Sequence, residues 1–125
     1  MDSANDSQKE LNPHPFQYTA IEGDYSVVAA IESEALFTTY YPFFESRGYI
    51  GNGYCWEGHI IQIIEKEDRE LLNHIDFNSE AGAFCAYIDS KATLVRFIEL
   101  IAPVFTDVTL LDDYVKVADR SRIDD

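Results

Sequence analysis

The 125-residue chain fits one domain, and a hydrophobic content of 46% with 14% aromatics supplies a core, which excludes general disorder. Nine Lys/Arg against 23 Asp/Glu leave a net charge of −14, with eight acids and one base in the first 46 residues. Such a surface repels nucleic-acid backbone and anionic lipid, so neither is expected as a partner, and it steers the chain toward a basic protein.

Residues 1–14 read as a loose acidic tail. They lack the positive and apolar segments of a leader, and no run in the chain approaches the roughly 20 apolar residues of a membrane helix. A cytoplasmic location is expected, with Cys55 and Cys85 as reduced thiols. Pro13-His14-Pro15 forbids a helix, and Phe16–Ile21 then alternates as a strand. Glu22-Gly23-Asp24 is a turn signal, and Tyr25–Ile31 follows as a second strand, closing an antiparallel hairpin.

An aromatic run comes next. Pro42 is tolerated in a first helical turn, so a helix is expected to begin near Thr39 and to stop at Gly48. Four of the six glycines and the only tryptophan then lie between Gly48 and Gly58. Trp56, Ile60, Ile63 and Ile64 fall at helical spacing, which predicts a helix from about Tyr54 to Glu65. A further helical turn is expected around Arg69–Asn73. Ile75–Phe77 and Ala83–Ile88 read as two more strands, the second nearly all apolar and therefore central. Asp89-Ser90 offers a cap for a helix from Lys91 to Phe105 that Pro103 should end or kink. A last helix runs from Thr109 to Ala118, and residues 119–125 look frayed.

These elements make one α+β domain over residues 15–118. An antiparallel sheet of about four strands carries helices on one face. The order ββαα occurs twice, which suggests an internal duplication.

Few residues form a catalytic or metal-binding pattern. Cys55 and His59, four apart, would share a helix face, but no second Cys/His pair accompanies them. Cys55 reads as a small apolar filler and His59 as an exposed or hydrogen-bonded side chain. No two carboxylates are singled out by spacing. The glycine loop lacks the lysine of a phosphate loop and follows a helix rather than a strand. No cofactor, metal or catalytic residue is expected. Recognition remains: Tyr49, Asn52, Tyr54 and Glu57 lie on or beside the shaped loop and are candidates for partner contact. The same loop also has a structural reading, in which Asn52 caps the helix, Trp56 lies in the core, and Gly51 and Gly53 allow the turn. The residues alone also admit a small ligand-binding or thiol-dependent enzymatic domain, or an acidic adaptor for a basic protein.

Phe44-Glu45-Ser46-Arg47-Gly48-Tyr49, then Gly51-Asn52-Gly53-Tyr54 and Trp56-Glu57, resembles the immunity protein 51 family of bacterial polymorphic toxin systems. The strand–loop–strand segment Ile75–Tyr87 supports the resemblance, which spans roughly Phe16 to Ala118. It implies a small cytosolic α+β protein that binds and neutralises a cognate toxin domain, without enzymatic activity or cofactor. Many such toxins are nucleases with basic grooves, so an acidic inhibitor gains a rationale. No toxin-contacting residue carries over from the motif, and Cys55 stands where a small or acidic residue is expected.

Overall fold

The computed structural model describes residues 11–124, so residues 1–10 of the tail expected over residues 1–14 lie outside the described residues, while Leu11 packs against the core. Gln17–Ile21 (β1) and Asp24–Ala29 (β2) form the first hairpin. Ile21 pairs with Asp24, leaving a two-residue turn in which Glu22 (φ +24°) and Gly23 (φ +82°) are both left-handed. This is the turn geometry that matches strand twist. The second hairpin joins Ile75–Phe77 (β3) to Phe84–Ile88 (β4). β2 and β4 pair antiparallel at the centre, giving one four-stranded sheet in the order β1-β2-β4-β3. A twofold axis normal to the sheet between β2 and β4 would exchange the two hairpins, which is the strand order a ββαα repeat would give.

Period-two alternation sets the faces. Val27 and Ala29 of β2, and Phe84, Ala86 and Ile88 of β4, are buried under the helices. Tyr87 points the other way and is 54% exposed. β1 is exposed along its length, beyond the helical layer.

Four helices cover the buried face. Glu34–Glu45 (α1) starts five residues before the expected Thr39 and carries Pro42 inside it. Ser33 has extended angles and Glu34 opens the first turn, where an acid suits the helix dipole. Pro42 is tolerated because it faces solvent, so the carbonyl it leaves unpaired can be hydrated. Gly53–Glu67 (α2) buries Trp56, Ile60, Ile63 and Ile64, as the spacing predicts. A 3-10 turn, Arg69–His74, leads into β3. Lys91–Thr106 (α3) continues past Pro103 to Thr106, again with the proline on an exposed position. Ser90 caps α3 by accepting from the Thr93 N–H at 3.2 Å. Val108–Val117 (α4) is capped by Asp107, whose Oδ1 accepts from Thr109 and Leu110.

The C-terminal segment, expected to fray, is tied down. Gln62 exchanges two hydrogen bonds with the Asp119 backbone, at 2.8 and 3.0 Å. Arg120–Arg122 forms a 3-10 turn, and Ile123 is 8% exposed in the core, against Gly58. Arg122 makes a two-pronged pair with Glu65 at 2.6 and 2.9 Å, which holds the Glu65 carboxyl below its usual range.

One exposed pair predicts a pH dependence. His74 Nδ1 lies 2.6 Å from Asp89 Oδ2. The hydrogen bond to Asp89 raises the His74 pKa above 6.5, and the same bond lowers Asp89 below 3.8. A raised histidine stabilises fully below pH 6.5 and loses that contribution as pH rises through its folded value. A lowered aspartate contributes above pH 3.8 and loses it as pH falls through its folded value. The pair therefore helps most between those limits. His74→Asn should flatten the fall in melting temperature as pH rises from 6.5 through the folded value of His74. Identical pH profiles for the two proteins would refute this.

Candidate functional site

The glycine stretch is built from three local devices. Gly48 (φ +86°) ends α1 as its left-handed stop. The Gly48 N–H donates to the Glu45 carbonyl and the Tyr49 N–H to the Phe44 carbonyl, both at 3.0 Å. The Tyr49 ring packs edge-on against Phe44, with centroids 6.3 Å apart, completing the Schellman arrangement. Gly51 (φ +81°) then turns the chain where an added Cβ would lie 3.1 Å from the Phe44 Cβ. Asn52 caps α2, its Oδ1 accepting from the Cys55 N–H at 2.9 Å.

The stretch also meets the β3–β4 loop. The Gly53 N–H donates to the Ala81 carbonyl at 2.9 Å. Glu57 Oε1 accepts from the Ser79 N–H at 3.2 Å, and Ser79 Oγ accepts from the Cys85 N–H at 3.1 Å. The two segments that carry the family resemblance are thus one joined substructure. Beneath it Trp56 is fully buried, with its centroid 4.7 Å from Phe105 and 5.0 Å from Tyr40. The Tyr40 hydroxyl donates to the Phe105 carbonyl at 2.7 Å, and burial pushes its pKa up to about 12.

The four candidate contact residues are placed differently from one another. Tyr49 is 7% exposed, between His59 at 4.8 Å and the Arg120 guanidinium at 4.1 Å. Arg120 also donates to the Gly48 carbonyl. Asn52 is engaged in the cap. Tyr54 is 38% exposed and Glu57 half-buried, both on the first turns of α2. His59, read as exposed or hydrogen-bonded, is 2% exposed and stacks on Phe44. Cys55 is also fully buried, and burial pushes the Cys85 thiol up, so Cys85 is not an activated thiol.

Sequence reasoning missed a groove beside this joint. Glu32, Leu36, Phe37, Tyr41 and Ile50 border an open cavity of about 120 Å³ with Trp56 in its wall. Phe37 and Tyr41 stack with centroids 4.6 Å apart, and Phe37 and Ile50 are 48% and 59% exposed. The signal was present: once α1 starts at Glu34, Phe37 and Tyr41 are four apart and lie off the Leu36–Tyr40–Phe43 stripe.

Charge is segregated around the groove. Residues 11–46 and 70–90, which hold all four strands and α1, contain nine Asp/Glu and no Lys or Arg. In the remaining segments cations meet acids: Arg47 with Asp112 at 2.6 Å and Arg96 with Asp68 at 2.9 Å. Among the described residues no group of three His, Cys, Asp or Glu side chains could hold a metal ion. Nor is any described helix long and apolar enough to cross a membrane.

Comparison with curated proteins and with solved structures gives no match. A protein-family model described as immunity protein 51 matches residues 22–120, most of the chain, including the glycine stretch and the β3–β4 loop. The chain therefore belongs to the immunity protein 51 family, whose general role is immunity to a toxin.

Proposed function

We propose that this immunity protein neutralises its cognate toxin domain in the cytoplasm by binding it tightly and occluding a basic surface, without catalysis. The observation that carries the reading is the charge segregation. The segments that form the sheet and α1 carry nine acids and no Lys or Arg, so they contribute a net negative field. A toxin with a basic substrate groove, such as a nuclease, is the complement of that field, which speeds encounter and fixes orientation. Tyr54 and Glu57 are the contact candidates whose side chains reach the surface, while Tyr49 and Asn52 shape the loop that presents them.

The test is co-expression with the toxin domain encoded just upstream, followed by affinity measurement on the purified complex. Growth rescue and a soluble complex are expected. Raising salt from about 0.05 M to about 0.5 M should weaken binding at least tenfold, because exposed charges are screened over a shrinking Debye length. A flat salt response would remove the basic-surface reading. Absence of both rescue and complex would remove the toxin pairing.

A further inference from the structure

We propose that the groove between α1 and the glycine loop is the toxin-docking site, and that it takes one large apolar side chain borne on a Lys- or Arg-flanked loop of the toxin domain. The proposal rests on the immunity reading and adds the surface and the chemistry of its complement. Three observations converge on the groove.

The first is exposed apolar area. Phe37 and Ile50 stand at its mouth, and Tyr41 stacks against Phe37. Rigid aromatics beside a recess are the usual anchors of a protein interface, because they bury area at little entropic loss. A volume of about 120 Å³ accepts a side chain of leucine or methionine size and is too small for a helix.

The second is Trp56 in the groove wall. It is fully buried, yet its indole N–H has no acceptor among the described residues. A buried donor is costly to leave unpaired, so this wall is an unfinished part of the core.

The third is charge. Glu32 borders the groove, and Glu45 accepts from the Tyr41 hydroxyl at 3.4 Å. Among the described residues no Lys or Arg lines it, and α1, the strands and the β3–β4 loop supply none. Cations flanking the inserted side chain would therefore meet acids and no repulsion. A second copy of this chain, itself of net charge −14, would be repelled by these acids. The helix-free face of the sheet carries the row Thr19, Ser26, Tyr87 and Asp76 and serves as the control surface.

The single tryptophan makes the groove directly observable. The full chain is labelled with ¹⁵N, and the unlabelled, inactivated toxin domain from the adjacent reading frame is titrated in. The indole N–H resonance should move with saturation at one equivalent. Phe37→Ala and Ile50→Asp alter exposed side chains, so the fold should survive, as the remaining amide spectrum will report. Each should weaken binding at least about 30-fold, while Tyr87→Ala should change it less than about twofold. Glu32→Gln should lower the salt dependence of binding. If the complex forms but both groove variants bind within about twofold of wild type and the indole does not move, the toxin docks elsewhere and the immunity reading stands without this site. If wild type neither binds nor protects, the immunity reading fails first. Movement of the resonance with the protein's own concentration would assign the groove to a second copy. Movement on deleting residues 1–10 would assign it to that segment. Either result overturns the proposal.

Discussion

Gly53→Ala should cost at least about 3 kcal/mol of stability, or prevent folding, when followed by urea denaturation. A Cβ at this position would sit 1.9 Å from the Glu80 carbonyl oxygen and 2.4 Å from that of Ala83. Both obstacles are backbone, and they are pinned. The Glu80 N–H donates to the Ala83 carbonyl at 2.9 Å, and the Ala83 N–H returns a bond at 3.2 Å. Relief requires moving the whole β3–β4 loop, which breaks the Gly53–Ala81 hydrogen bond and strains the Asn52 cap. Gly23→Ala provides the contrast. Its Cβ meets nothing within 4 Å, so only the left-handed angle is penalised, at about 1–2 kcal/mol. Equal costs at the two positions would mean that the close approach of the loops is wrong.

This approach also explains why one half of the glycine stretch could be read in advance and the other could not. Asn52 as a cap and Gly48 as a stop depend on neighbours within a few residues, so local chemistry reveals them. The seat of Gly53 on residues 80–83 is a contact between distant segments, and nothing in either segment names the other. The same division runs through the fold. α2, α3 and α4 were legible from their apolar stripes, and β3 from its strand-forming residues between turn signals. α1 starts at Glu34 rather than at the expected Thr39 because Pro42 need not lie in a first turn: on the exposed side of a helix it loses only a bond that water can replace. The later start hides the Phe37–Tyr41 pair, and with it the groove. Ile123 was lost for a different reason: a lone apolar residue among charges has no periodicity, and only its contact with Gly58 shows that it belongs to the core.

Trp56→Ala should lower stability by about 3–5 kcal/mol, a large part of what a domain of this size possesses. The ring is fully buried, with Phe105, Tyr40 and Phe16 at centroid distances of 4.7, 5.0 and 6.1 Å. These neighbours come from α3, α1 and the segment before β1, so truncation opens a cavity that no single element can collapse to fill. Trp56→Phe separates volume from polarity. It keeps a ring among rings while deleting the indole N–H, which has no acceptor among the described residues. Loss of packing and removal of an unpaired donor then oppose each other, so the net cost should be below about 2 kcal/mol. The two variants also distinguish fold from function. Trp56→Phe should still protect against the toxin, because the mouth of the groove is made by Phe37 and Ile50. Trp56→Ala should lose protection only to the extent that it unfolds. If Trp56→Ala melts like wild type but no longer binds, the tryptophan contributes to recognition rather than to the joint between α1, α2 and the β3–β4 loop.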